Sequence, residues 1–164
     1  MKRRYFLTGL FGAAAYPFVH SLAARDDKQE GVMIEKIDKT DAEWKALLTP
    51  AQFEVLRKEG TEAPWTSPLN DEKRAGTYVC AGCELPLFTS DMKYDSGTGW
   101  PSFYTTLPGA FGLKRDFKLI LPRTEYHCTR CGGHHGHVFD DGPKPTGKRW
   151  CNNGVALRFV PAQA

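Results

Sequence analysis

Five cysteines occur in 164 residues, and their spacing divides them into four and one. Cys80 and Cys83 form one C-x-x-C pair and Cys128 and Cys131 a second, with 44 residues between the pairs. Two such knuckles are the sequence form of a tetrahedral, four-thiolate zinc site. Such a site is structural, because four protein ligands leave no open position for a substrate. Two disulfides, or a redox-active C-x-x-C, are the competing readings. A redox pair is expected beside a βαβ pattern, which neither knuckle has. Cys151 is left over, in the run Arg149-Trp150-Cys151-Asn152-Asn153-Gly154. An isolated cysteine can be an inert core residue, so the other motifs decide its reading.

Two further segments carry chemistry. Residues 132–143 read GGHHGHVFDDGP and hold His134, His135 and His137, three of the five histidines. A nearby imidazole or aimed dipoles can lower a thiol pKa, and a histidine can deliver a proton near neutral pH. Turn-forming or zinc-site histidines are the alternative. Residues 95–103 read DSGTGWPSF. This is neither a strand nor a helix interior. It reads as a fixed loop displaying Trp100, against which a small apolar group such as an S-methyl would pack. A core tryptophan behind a tight turn is the alternative.

The elements that must position these residues are short. Residues 1–23 have the parts of a secretory signal: Lys2, Arg3 and Arg4, an apolar stretch over 6–19, and Ser21-Leu22-Ala23 as a cleavage site. The twin arginine before Tyr5-Phe6-Leu7 resembles a Tat signal, which implies export of a folded protein to the periplasm. The apolar stretch is short for a membrane span, and Pro17 interrupts it. Residues 24–40 read as a linker. A helix is expected over 41–48, with Trp44, Leu47 and Leu48 apolar. A second is expected from Thr49 as N-cap and Pro50 at N1 to Gly60 at C′. Residues 65–70 read as a loop. Strands are expected over 77–80, 86–88, 117–121, 124–128, 137–139 and 155–160. With 16 Gly and 11 Pro marking turns, the fold class is α+β, mainly antiparallel β, one domain over 41–161 with short helices at its N-terminal side.

The net charge of +3 comes from the signal: without Lys2, Arg3 and Arg4, 19 basic residues face 19 acidic ones. No basic stripe is present that would neutralise several phosphates, so nucleic acid is excluded as a partner.

Together the motifs resemble the type B methionine sulfoxide reductases. The match runs from about Asp41 to Phe159 and rests on Cys80-Ala81-Gly82-Cys83, GWPSF at 99–103, HxGHVFDDGP at 134–143 and RWCNN…LRF at 149–159. The resemblance implies a two-sheet β-tent with a zinc site held by Cys80, Cys83, Cys128 and Cys131, away from the reaction. It places Cys151 on the nucleophile, His134, His137 and Asn153 on active-site polar positions, and Trp100 on the wall receiving the substrate methyl. Attack on the sulfoxide sulfur would release methionine and leave a Cys151 sulfenic acid.

The chain departs from many members at Thr98, where they carry a cysteine that resolves the sulfenic acid. A thioredoxin-like protein or small-thiol reductant is therefore expected to regenerate Cys151. Asn152 stands where an apolar residue is common, and Gly154 where a small hydroxyl residue is common. A monomer acting on oxidised proteins or peptides is expected, without a stable membrane span. A non-catalytic binding module on the same zinc fold would leave Cys151 without a task. A thiol–disulfide oxidoreductase would need a redox-active knuckle.

Overall fold

The computed structural model describes residues 34–118 and 121–163; the expected signal, and the linker up to residue 33, lie outside them. Helix α1 (Asp41–Leu47) follows Thr40 and helix α2 (Pro50–Lys58) follows Thr49. Each threonine hydroxyl accepts the N3 amide, and the N3 side chain, Glu43 or Gln52, accepts the cap amide in return. This reciprocal cap satisfies donors that a short helix leaves open. Trp44 and Leu48, four residues apart on one face, are buried, whereas Leu47 falls off that face and is exposed. Gly60 follows α2 at C′ as expected, but the left-handed residue is the C-cap Glu59 at φ 56°.

Among the described residues nine strands follow: β1 (Gly76–Cys80), β2 (Pro86–Thr89), β3 (Lys93–Tyr94), β4 (Ser102–Phe103), β5 (Phe111–Asp116), β6 (Arg123–Cys128), β7 (His134–Phe139), β8 (Arg149–Asn152) and β9 (Leu157–Pro161). They form two antiparallel sheets, ordered β2-β1-β9 and β3-β4-β8-β7-β6-β5. Aromatic side chains join them. Phe88 of the small sheet stacks on Phe103 of the large one at 3.9 Å, and Tyr78 meets Phe103 edge-on at 5.0 Å. Phe111, Tyr126 and Trp150 extend the cluster along the large sheet. Such ring pairs stabilise beyond their buried area.

Two strand expectations change. The strand expected over 117–121 is displaced to β5, whose Asp116 pairs with Arg123 of β6. Phe117 and Leu121 belong to the β5–β6 connection and are exposed. An apolar run there imitates a strand, while Lys114 and Arg115 conceal the real one on an exposed edge. The strand expected over 155–160 begins as a 3-10 turn, Gly154–Ala156, and only Leu157–Pro161 pairs. Cys151 lies inside a strand of its own, β8, between β4 and β7. Among the described residues no helix is long and apolar enough to cross a membrane.

β7 carries a bulge. Tyr126 pairs with Gly136 but His127 pairs with His134, so His135 is the extra residue. At Gly136 the chains crowd: an added Cβ would lie 2.0 Å from the Cys151 carbonyl oxygen. Gly136→Ala is therefore expected to lower stability by about 2 kcal/mol, read as an earlier urea midpoint. An unchanged midpoint would show that β7 and β8 can separate freely.

Candidate active site

The period-two alternation of β8 sets the site. Trp150 joins the aromatic core, and Asn152 is fully buried beside it, accepting from the Tyr126 hydroxyl at 3.0 Å and donating to the Asn153 carbonyl at 2.7 Å. The polar residue found where an apolar one is common is thus fully partnered. Arg149 and Cys151 take the opposite face. Cys151 pairs with Ser102 of β4 on one side and His137 of β7 on the other. Directly opposed residues of an antiparallel pair project together, so thiol and imidazole face one cleft. That cleft is lined by Trp100, Arg123, His137, Phe139, Cys151 and Asn153.

The histidines divide. His137 Nε2 lies 2.7 Å from Asp116 Oδ2, which also accepts from Arg123 at 2.7 Å. The Lys118 amide, then His137 and Arg123, hold the Asp116 carboxyl well below the usual range. An ionised carboxylate only accepts, so Nε2 carries the proton and Nδ1 is the unprotonated nitrogen of the neutral ring. Burial pushes the His137 pKa down, and Asp116 offsets part of that shift. His134 is not on the cleft wall. It lies behind His137, ring centroids 5.4 Å apart, with Nδ1 2.8 Å from Glu125 Oε1. Burial alone would raise Glu125, yet hydrogen bonds from His127 and His134 hold it down to about 2. The bulge turns His135 away to Cys80, with Nε2 3.4 Å from the sulfur.

Asn153 borders the cleft, but its side chain is committed. Oδ1 accepts the Glu62 amide at 3.0 Å, and Nδ2 donates to the His135 carbonyl at 2.9 Å. It can position the chain after Cys151 rather than bind a ligand atom. Glu62 gathers the same region: its carbonyl accepts from Trp100 Nε1 at 3.1 Å, and its carboxylate accepts the Gly154 and Val155 amides. Ser67 Oγ fills the space where a Cβ at Gly154 would stand, 1.9 Å away, so no hydroxyl side chain fits there.

The four knuckle cysteines converge. Their sulfurs lie within 4.8 Å of one another, with Cys80–Cys131 at 3.7 Å and Cys83–Cys128 at 3.5 Å, and none is disulfide-bonded. A tetrahedron of metal–sulfur bonds of about 2.3 Å has edges of about 3.8 Å. The residues therefore fit a metal ion. Hydrogen bonds among the four thiols push Cys80 and Cys128 up and Cys83 and Cys131 down, and a divalent cation would displace the protons they share. The site ties the β1–β2 connection to the β6–β7 hairpin, and Cys151 is outside it.

Asp116, Arg123, Glu125, Arg149 and Glu62 escaped the sequence reading. Arg149 offered a signal, standing two residues before Cys151 and hence on its strand face. It pairs with Asp141 through two hydrogen bonds, at 2.8 and 2.9 Å, and lies over the Phe139 ring. The others reach the site from distant segments and offered none.

Burial pushes the Cys151 thiol up, and Arg149 and the Thr98 hydroxyl offset part of the rise. The groups that offset the rise are a guanidinium and a hydroxyl rather than the imidazole that the sequence offered. Alkylation of Cys151 by iodoacetamide, followed by peptide mass mapping, should accelerate with pH through a midpoint above the ordinary thiol value. Arg149→Gln should move that midpoint higher. A midpoint at or below about 7.5 would contradict this electrostatic account.

Residues 48–161 match the SelR domain family. The peptide methionine sulfoxide reductase MsrB of Pseudomonas putida (strain W619) is 53% identical over 129 residues, covering 78% of this chain and 97% of the relative. The protein of that name from Agrobacterium fabrum is 50% identical over 127 residues, covering 77% and 94%. That from Leifsonia xyli subsp. xyli is 53% identical over 128 residues, covering 77% and 92%. With one paired-strand cleft, one tetrathiolate cluster and half of the residues shared across the matched length, the chain belongs to the SelR-domain family of type B methionine sulfoxide reductases.

Proposed function

We propose that this chain reduces methionine-R-sulfoxide in peptides or proteins to methionine, with Cys151 as the nucleophile. One observation carries the reading: Cys151 and His137 stand directly opposite on paired strands, in a cleft that Trp100 also lines. The substrate methyl packs on the Trp100 indole. The Cys151 proton passes to His137 Nδ1, whose ring Asp116 holds through Nε2. The thiolate attacks the sulfoxide sulfur. The oxygen moves to Cys151 and takes the proton from His137, because bare oxide is a poor leaving group. Two electrons from the cysteine sulfur end on the substrate sulfur, giving methionine and a Cys151 sulfenic acid. His134 and Asn153 position the participants.

Regeneration then needs an external thiol. It attacks the sulfenic sulfur, water leaves, and a second thiol releases Cys151 from the mixed disulfide. Thr98 cannot form a disulfide, and the other four cysteines lie in the metal cluster. Four thiolates at tetrahedral spacing favour zinc, which is redox-inert and leaves the repair chemistry to Cys151. The twin-arginine motif in residues 1–23 supports export to the periplasm after folding and metal loading.

Turnover on separated R and S sulfoxide peptides with dithiothreitol tests the reaction. The wild type should act on the R epimer, and Cys151→Ser should lose at least 1,000-fold, on the order of a nucleophile's share. A sulfenic-acid-specific nucleophile should label Cys151 after substrate is added without reductant. Retained activity in Cys151→Ser, or a disulfide from Cys151 to a knuckle cysteine, would defeat the proposal. Metal analysis should find one zinc per chain, and chelation should lower the melting temperature without altering the Cys151 side chain. A metal-free chain of unchanged melting temperature would remove zinc from the account.

A further inference from the structure

Hydroxyl side chains flank Cys151 on the side away from His137. Ser102, fully buried, stands opposite Cys151 across β4 and β8. The Asn152 amide donates to the Pro101 carbonyl at 2.9 Å. Ser102 and Cys151 are therefore an opposed pair that exchanges no backbone bonds, the kind whose side chains come closest. Ser102 Oγ lies 2.7 Å from Ser96 Oγ, and Ser96 Oγ lies 2.8 Å from Thr98 Oγ1. Ser102 also donates to the Trp100 carbonyl at 3.1 Å. At the other end the Thr98 hydroxyl hydrogen-bonds to the Cys151 sulfur. The links run in series from the sulfur to the carbonyl, four in all.

A proton count fixes the direction of that series. Each hydroxyl has one proton to donate, and a carbonyl only accepts. While Cys151 holds its proton, four protons serve the four links. The thiol donates to Thr98, Thr98 to Ser96, Ser96 to Ser102, and Ser102 to the Trp100 carbonyl. Once the thiol proton has gone, one link must fail. An anionic sulfur is the stronger acceptor, so the series turns round. Ser102 then donates to Ser96, Ser96 to Thr98 and Thr98 to the sulfur, and the Trp100 carbonyl loses the Ser102 proton. We infer that Thr98, Ser96 and Ser102 form a reversible latch on Cys151, which favours the protonated sulfur at rest by one hydrogen bond and reverses to hold the thiolate during attack. The inference rests on Cys151 as the nucleophile of the proposed reaction, and it makes Ser96 and Ser102 positioning residues that act through Thr98. The hydroxyls only rotate; the Cys151 proton still goes to His137.

The charged and titratable groups around the sulfur are Arg149 on β8, Asp141 before it, His137 on β7 and Tyr94 on β3. Among the described residues none of them hydrogen-bonds to the three hydroxyls, so a substitution in the series leaves their charges in place. Iodoacetamide alkylation of the full chain across pH, read by peptide mass mapping, gives the Cys151 midpoint. Ser96→Ala interrupts the series, and ionisation then costs no link. Its midpoint should fall by about half a pH unit, the worth of one neutral hydrogen bond. Thr98→Val removes the donor to the thiolate, and its midpoint should rise by about one unit, the worth of a hydrogen bond to a charge. Thr98→Ser should keep the wild-type midpoint. In the Thr98→Val background Ser96→Ala should shift nothing, because Ser96 reaches the sulfur only through Thr98. Ser102→Ala, which cuts the series one step further along, should lower the midpoint as Ser96→Ala does and serves if that variant fails to fold. A midpoint that rises or stays in these two variants, or a Ser96 shift that survives in the Thr98→Val background, would overturn the latch. The expected shifts in a chain that never reduces methionine sulfoxide would keep the latch and defeat the reductase reading; turnover without the shifts would do the reverse.

Discussion

The close approach of β7 and β8 at Gly136 governs the arrangement of the site. With only a hydrogen on Gly136, the Cys151 carbonyl can come near enough for the two strands to pair from Gly136–Asn152 to Phe139–Arg149. That register sets His137 against Cys151. Strand alternation then sends Trp150 and Asn152 into the core and leaves Arg149 and Cys151 on the opposite face. A slip of one residue would bury the thiol and expose the indole. The core enforces the register, because Trp150 must meet Tyr126 and Phe111, and Asn152 must meet the Tyr126 hydroxyl.

The electrostatics follow from that placement. The cleft holds a thiol that burial keeps protonated and an imidazole that burial keeps neutral. Two buried carboxylates, Asp116 and Glu125, stay ionised beside the histidines, Asp116 through three hydrogen bonds and Glu125 through two. A neutral resting pair avoids the desolvation penalty of two buried charges. In the reaction proposed, charge would develop only when substrate brings an oxygen that needs a proton. Arg149 and the Asp116–Arg123 pair lie where they can stabilise that separation without joining in the bond changes.

The four-cysteine cluster and the site share one hairpin. β6 and β7 carry Tyr126, Glu125, His134 and His137 along their length, and Cys128 and Cys131 at their turn. His135, expelled from the ladder by the bulge, turns its imidazole to Cys80. The extra residue therefore sends two adjacent histidines to two different sites. An ion held there would limit the freedom of the strand that holds His137, while taking no part in the reaction proposed.

Much of this was legible in the sequence. The knuckle spacing set four cysteines apart from the fifth, and the Thr49 cap with Pro50 marked the start of the second helix, because each signal lies within a few neighbouring residues; the cap at Thr40 was not read. β5 and β8 were not legible. Their residues show no apolar alternation, and they are strands because other strands pair with them. The partners of the histidines were hidden for the same reason: Asp116 and Glu125 lie 21 and 9 residues from the imidazoles they hold, and Glu62 lies 91 from Asn153. Local chemistry is written in local order, so the sequence by itself separated one cysteine from four and set three histidines in one run. Their orientation and their charge state depend on contacts between distant segments, and only the packed sheets decide those.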